Sequence, residues 1–165
     1  MNILEFIDKG GVIVYILIAL NIIGFSVIIF KLINLYQFKS YINQTVEEMI
    51  LKLNASSKKS SYIDTVIQAR VKKLENGLNT IKIIATISPL LGLLGTVIGI
   101  LSSFDSISKL GLDDPSIFSS SISLALITTV VGLVVSIPHY IFYNYFIGVL
   151  DNYELKLKNK VLEQL

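Results

Sequence analysis

The sequence of 165 residues contains no cysteine, no tryptophan and a single histidine. Without cysteine it can form neither a disulfide framework nor a thiolate metal site. Charged residues are scarce as well, at 16% of the chain against about 25% in an average soluble domain. The net charge of +2 is too small to indicate a nucleic-acid partner. The chain therefore has too few charges to cover a surface that faces water throughout.

Long apolar runs are what the sequence does contain, with 53% hydrophobic residues and a mean hydropathy of +0.70. Residues 10–30, 83–104 and 115–150 carry no Asp, Glu, Lys or Arg. A bilayer core takes about 20 apolar residues as helix, so each run can cross it. The third run would reach roughly 54 Å as a helix, at about 1.5 Å per residue. Because residues 125–136 contain no turn signal, this run predicts one long projecting helix rather than two crossings.

The pattern predicts an all-α membrane protein of one domain, residues 1–165, with spans at about 10–31, 83–105 and 116–140. Residues 31–82 hold nine of the fourteen Lys and Arg, and the tail after residue 150 holds three more. Only Lys9 and Lys109 lie on the other side. Because Lys and Arg concentrate in cytoplasmic loops, we expect the N-terminus outside and the C-terminus inside. The slightly acidic start, followed by no small-residue cleavage site, predicts that the first span is an uncleaved anchor.

Apolar residues at helical spacing continue outside the spans, in the segments at about 32–82 and 141–165. They form three stripes: Ile42, Val46, Met49, Ile50 and Leu53; then Ile63, Ile67, Val71, Leu74 and Leu78; and finally Phe146, Leu150, Tyr153, Leu157 and Val161. The second stripe runs towards the second span, and the third stripe follows the third span. Helices two and three are therefore expected to be long and to extend into a cytoplasmic helical bundle.

The second span, SPLLGLLGTVIGILSSF, is rich in residues that weaken helices. At helical spacing they share one face: Ser88, Gly92, Gly95 or Thr96, Gly99, Ser103 and Ser106. The third span has a similar face: Ser121, Ala125, Thr128 or Thr129, Gly132, Ser136 and His139. Small residues let membrane helices approach closely, so the faces predict tight packing of a helix pair. They can equally form a polar wall beside a cavity, and a wide enough face can do both.

Two blocks, ATISPLLGLLGTVIGILSSF and ISLALITTVVGLVVSIPHYIFYN, resemble the second and third transmembrane helices of the MotA/TolQ/ExbB proton-channel family. The similarity to the ExbB and TolQ branch rests on the GLxGTVxGI block, the TxxGLxxxIP block and the terminal YN. The GGVIVYILIAL segment extends it into the first span. The resemblance implies proton flow from outside to inside that is converted into motion or force.

The resemblance also implies the assembly. It suggests a homo-oligomer, a pentamer of three-span subunits, around two copies of a single-span partner in the inner membrane of a Gram-negative bacterium, with the N-terminus in the periplasm. The partner would be ExbD-like or TolR-like, with an intramembrane aspartate, and would act on a TonB-like or TolA-like energy transducer. With one His, no Cys and no carboxylate within a span, the sequence predicts no catalytic residue, no metal and no cofactor.

Carried onto this chain, the resemblance assigns Thr96 and Thr129 to the proton path. Serines on the same faces are expected to line the pore with them: Ser88, Ser103, Ser121 and Ser136. Residues expected to serve helix packing or partner contact are Pro89, Gly92, Gly95, Gly99, Ala125, Gly132 and Pro138.

The chain departs from the family pattern at Leu124, where many ExbB and TolQ proteins carry a glutamate. Hydroxyl groups do not titrate near neutral pH, so the threonines alone cannot carry a proton. We therefore expect the carrier to be a carboxylate on the partner's helix. His139, near the inner end of the third span, and Asp105, at the outer mouth, are weaker candidates for proton exit and entry. An interfacial side chain and a solvated loop residue are the alternatives for these two.

Several functions fit this pattern to different degrees. The ExbB type would drive TonB-dependent outer-membrane transport, and the TolQ type would serve the Tol-Pal envelope system. A flagellar stator would carry a larger and more charged cytoplasmic part. An enzyme is disfavoured because no span holds a catalytic set, and a solute transporter because three spans contain no internal repeat.

Overall fold

The computed structural model describes residues 7, 10–40, 46, 59–110 and 115–163. Four helices account for nearly all of them: α1 is Gly11–Ser40, α2 is Lys59–Glu75, α3 is Leu78–Leu110 and α4 is Pro115–Glu163. No strand occurs within the described residues, and the all-α prediction is confirmed. The first predicted cytoplasmic stripe, at 42–53, lies outside the described residues except for Val46, which is buried.

Three of the helices are long and apolar enough to cross a membrane, over Gly11–Leu35, Leu78–Lys109 and Ser119–Val161. They correspond to the three predicted spans. α4 contains 49 residues without a break. Its length is about 74 Å, against about 30 Å for a bilayer core. The prediction of one long third helix is confirmed.

The second predicted stripe differs from the expectation in one respect, because α2 and α3 are separate helices. A turn at Asn76 and Gly77 divides them. The φ angle of Gly77 is +89°, a conformation that residues with a Cβ rarely adopt. The apolar spacing continues across the turn, since Leu74 and Leu78 are both buried, and this continuity concealed the break in the sequence.

Lys31, in α1, stabilises the end of α2. Its Nζ donates a hydrogen bond of 2.7 Å to the Leu74 carbonyl oxygen, and the residue is only 5% exposed. Leu74 lies in the last turn of α2, where carbonyl groups lack helical donors and a positive charge is favoured. Lys31 thus caps the C-terminal end of α2.

The chain divides into two compact units, Met1–Ser26 with Thr80–Ile141 and Val27–Asn79 with Phe142–Leu165. In the first unit, α1 packs on both α3 and α4. Leu17 of α1, Ile84 of α3 and Val135 of α4 are buried together at the centre of this contact. The first unit also holds the small-residue faces of α3 and α4.

The second unit buries the other two predicted stripes. Every residue of these stripes whose side chain the structure describes is buried: Ile67, Val71, Leu74, Leu78, Phe146, Leu150, Tyr153, Leu157 and Val161. An ion pair between Lys158 Nζ and Asp64 Oδ1, at 2.9 Å, connects α4 to α2 on the surface of this unit. The helical spacing thus correctly predicted which faces of α2 and α4 lie inside.

Candidate functional site

α3 and α4 are in backbone contact where Gly92 faces Gly132. A Cβ added to Gly132 would lie 2.6 Å from the Ser88 carbonyl oxygen and 3.1 Å from the Gly92 Cα. A Cβ added to Gly92 would lie 2.8 Å from the Thr128 carbonyl oxygen. Backbone atoms cannot move aside unless a whole helix moves. Only glycine therefore fits at this crossing, in the manner of small residues between membrane helices.

The contact continues along α3 beyond the crossing. A Cβ on Gly95 would overlap the side chain of Thr128. A Cβ on Gly99 would lie 2.9 Å from the Ala125 Cβ and 3.0 Å from the Ser121 carbonyl oxygen. The contact therefore contains all five small residues predicted for packing: Gly92, Gly95, Gly99, Ala125 and Gly132.

Thr96 of α3 and Thr129 of α4 form a hydroxyl pair across this contact. Their Oγ1 atoms are 2.5 Å apart, and both residues are half-buried. The Thr96 hydroxyl also lies 3.1 Å from the Ala125 carbonyl oxygen and 3.3 Å from that of Gly92. The Thr129 hydroxyl lies 3.3 Å from the Gly92 carbonyl oxygen and 3.4 Å from that of Ala125. We call Thr96 and Thr129 the threonine pair.

Thr128 adds a third hydroxyl, which donates to the carbonyl oxygens of Ala125 at 2.8 Å and Gly92 at 3.2 Å. Unlike the threonine pair it is fully buried, at 1% exposure. Thr128 belongs to the predicted face of α4 but is not among the residues predicted for the proton path. The doubled threonine at 128 and 129 was the available signal.

A count of hydrogens shows what the threonine pair can offer to a ligand. Each hydroxyl has one hydrogen to donate and two lone pairs that accept. Within the pair one threonine donates to the other, and the second donates to a carbonyl oxygen of Gly92 or Ala125. Both hydrogens are then used, while lone pairs remain. The resting pair is therefore an acceptor for a group that brings its own proton, such as a protonated carboxyl or a water molecule.

The predicted pore-lining serines lie in different surroundings. Ser88 and Ser103 are buried, at 0% and 1% exposure, and donate within α3 to the carbonyl oxygens of Ile84 and Gly99. Ser136 is 8% exposed and donates across the contact to α3. Ser121 is half-buried. Of the predicted path residues, the threonine pair and Ser121 are thus the ones with accessible surface in this chain.

The other predicted positions lie at the edges of this arrangement. Pro89 and Pro138 are inside α3 and α4 and are half-buried. Asp105 is exposed and forms a 2.7 Å ion pair with Lys109 four residues later. In the described part of the chain, no group of three or more His, Asp or Glu side chains could hold a metal ion.

His139 faces α1 rather than the threonine pair. Its ring is fully buried, and Nδ1 lies 2.7 Å from the Val135 carbonyl oxygen. Because a carbonyl oxygen only accepts, Nδ1 carries the hydrogen. The ring packs edge-on against the ring of Phe25, with 5.2 Å between the ring centroids. A Cβ on Gly24 would overlap Nε2 of the histidine. Gly24 thus provides the space that the imidazole ring occupies.

This fit predicts that Gly24→Ala destabilises the protein by about 2 kcal/mol, within the usual range for overpacking a core. The same change should have little effect in a His139→Ala background, because the ring it would strike is absent. Circular dichroism during SDS titration of the protein in detergent micelles measures the loss of stability in each background. Equal losses in the two backgrounds would show that Gly24 and His139 do not interact.

His139→Ala alone should retain most proton-coupled activity, since its ring faces away from the threonine pair.

The chain is similar to a known protein family and to several named proteins. Residues 35–159 match the model of the MotA/TolQ/ExbB proton channel family. A protein named as an ExbB homolog of biopolymer transport, from Methanothermobacter thermautotrophicus, is 28% identical over 92% of this chain. The biopolymer transport protein ExbB of Aquifex aeolicus is 40% identical over 56% of the chain, and that of Pseudomonas putida is 27% identical over 72%.

The matched regions cover only part of these relatives. They make up 65% of the Methanothermobacter protein, 57% of the Aquifex protein and 38% of the Pseudomonas protein. The chain therefore spans less than two thirds of the length of each. The family match includes α2, nearly all of α4 and the whole of α3, and so contains the threonine pair.

Proposed function

Because the chain belongs to the MotA/TolQ/ExbB proton channel family, we propose that it is the ExbB-like subunit of a proton-driven motor in a bacterial inner membrane. The motor would be a pentamer that encloses an ExbD-like single-span partner and energises TonB-dependent outer-membrane transport. The N-terminus would be periplasmic and the C-terminus cytoplasmic, as the lysine distribution favours. The relatives named ExbB support this branch over the TolQ type.

The threonine pair is the observation that carries the proposal. It is half-buried, it lies on the paired helices, and its free lone pairs suit a proton-bearing ligand. Within residues 88–104 and within residues 115–150 the chain has no Asp, Glu, Lys or Arg that could take up the proton itself. The position of the family's glutamate is occupied by Leu124. The proton carrier would therefore be a carboxyl group on the partner's helix, and this chain would form the wall along which it moves.

The membrane potential would be the energy source for this movement. One proton crossing 100 mV releases about 2.3 kcal/mol. When protonated, the partner's carboxyl would donate to the threonine pair of one subunit. After it releases the proton to water on the cytoplasmic side, the carboxylate could no longer donate, and the pair has no free hydrogen to offer it. Each transfer would then bias one step between equivalent subunits. Thr96 and Thr129 would orient the carboxyl group and would not titrate.

Proton flux into liposomes tests this division of labour. The chain alone should give only the background leak under an imposed potential, because it has no carrier at mid-depth. Adding the ExbD-like partner should produce flux, and changing the partner's intramembrane Asp to Asn should abolish it while the complex still co-purifies. Strong flux from the chain alone would overturn the proposal and point to His139 and Asp105.

A further inference from the structure

Pro89 leaves a carbonyl group of α3 without its normal donor. Proline has no backbone N–H, so the carbonyl of Ala85, four residues earlier, lacks its helical hydrogen bond. Ala85 is 4% exposed, so bulk water cannot reach its carbonyl oxygen to donate the missing hydrogen bond. Within a membrane, a freed backbone group must be satisfied by a neighbouring helix, a side chain or bound water.

Ser136 of α4 supplies that bond. Its Oγ donates to the Ala85 carbonyl oxygen at 2.5 Å, and the residue is 8% exposed. Ser88 and Ser103, which are also buried, donate to carbonyls four residues earlier in their own helix. Those carbonyls also receive the backbone N–H of the same serine. Ser136 differs because its acceptor lies on the other helix and has lost its own donor.

The position of this bond relative to the threonine pair gives it a mechanical consequence. Ala85 and Ser136 lie on one side of the Gly92–Gly132 crossing, and the threonine pair lies on the other. Ser136 and Thr129 are seven residues apart on α4, which is about two turns or 10 Å. Two cross-helix hydrogen bonds that flank a backbone contact oppose both sliding and rotation of one helix on the other.

We propose that Ser136 is a positioning residue, which replaces the hydrogen bond removed by Pro89 and thereby holds Thr96 opposite Thr129. This assigns Ser136 a place inside the helix pair rather than along the pore. Its single hydrogen is used at Ala85, and its side chain is buried. Only the consequence for proton flux rests on the proposed function. The replacement of the bond can be tested without it.

The first test compares Ser136→Ala with Ser88→Ala. Both changes remove a buried serine hydroxyl, but only the first leaves a carbonyl with no donor. In SDS titration of micelles, Ser136→Ala should raise the ratio of unfolded to folded protein about tenfold, the effect of an unmet buried acceptor. Ser88→Ala should change it by less than about threefold, since Ile84 keeps its helical donor. Equal effects of the two variants would overturn the proposal.

The second test restores the donor within α3. Pro89→Ala returns a backbone N–H to residue 89, so the Ser136 bond becomes redundant. Adding Ser136→Ala to this background should then change the folding ratio by less than about twofold, well below the effect of one hydrogen bond. A loss as large as in the presence of Pro89 would contradict the inference. Should Pro89→Ala fail to fold, the comparison of Ser136→Ala with Ser88→Ala decides alone.

Proton flux separates this inference from the proposed function. With the ExbD-like partner present, Ser136→Ala should lower flux, and the loss should persist in Pro89→Ala with Ser136→Ala, because the restored donor lies within α3 and no bond between α3 and α4 returns. A wild-type chain without flux would overturn the proposed function and leave the folding result standing. Normal flux in Ser136→Ala would show that Ser136 does not position the threonine pair.

Discussion

A Gly132→Ala variant is expected to lose the packing of α3 on α4. The added methyl group would lie 2.6 Å from the Ser88 carbonyl oxygen and 3.1 Å from the Gly92 Cα. Both neighbours are backbone, so the strain can be relieved only by separating the helices, and the threonine pair would separate with them. We expect the free energy of unfolding to fall by about 3 kcal/mol, the upper end for overpacking, or more. SDS titration monitored by circular dichroism measures this loss.

Gly148→Ala provides the matched control, because it makes the same change in the same helix. Nothing lies within 4 Å of a Cβ added at Gly148. Alanine should therefore leave the stability unchanged or raise it by about 0.5–1 kcal/mol, since glycine loses more conformational freedom in a helix. A Gly132→Ala variant as stable as Gly148→Ala would contradict the backbone contact.

Much of the fold could be predicted from the sequence because the relevant signals are local. Runs without charge mark the three long helices, since a buried charge in a membrane is costly wherever it falls. Apolar spacing of three and four residues marks the inner faces of α2 and α4, and Phe146, Leu150 and Leu157 are buried as expected. The same spacing brings Thr96 and Thr129 to the faces that meet.

The features that escaped prediction depend on distant residues or on a single dihedral angle. The break at Gly77 follows from one positive φ within an unbroken apolar stripe. Ser88 donates within its own helix, whereas Ser136 donates to Ala85 of the other helix. This difference follows from Pro89, which removes the helical donor of Ala85. Likewise, the place of His139 depends on the absence of a side chain at Gly24, more than a hundred residues earlier. Periodicity within one helix contains no information on such pairs.

Replacing the threonine pair should remove proton transfer while the fold survives. Thr96→Val and Thr129→Val keep the side-chain shape but remove one hydroxyl each. In either variant the remaining hydroxyl still has the carbonyl oxygens of Gly92 and Ala125 to donate to, so no hydrogen is left unpaired. Partner-dependent flux in liposomes should fall at least about tenfold, because the partner's carboxyl loses one of the two half-buried hydroxyl oxygens that can accept from it. The amount of assembled complex should stay close to wild type.

Thr128→Val is the control that separates accessibility from packing. Thr128 donates to the same two carbonyl oxygens, but it is 1% exposed and is covered by Gly95. A carboxyl group that approaches from outside the helix pair would not reach its hydroxyl, so flux should stay within about threefold of wild type, below the effect of losing a buried partner. Equal losses at 96, 128 and 129 would show that these hydroxyls act by holding the helices together. Full flux in both Thr96→Val and Thr129→Val would remove the pair from the proton path. Flux lost in Thr96→Val and Thr129→Val, but not in Thr128→Val, would mean that the accessible hydroxyl oxygens accept the proton-bearing group. Their role would then not be to hold the two helices together.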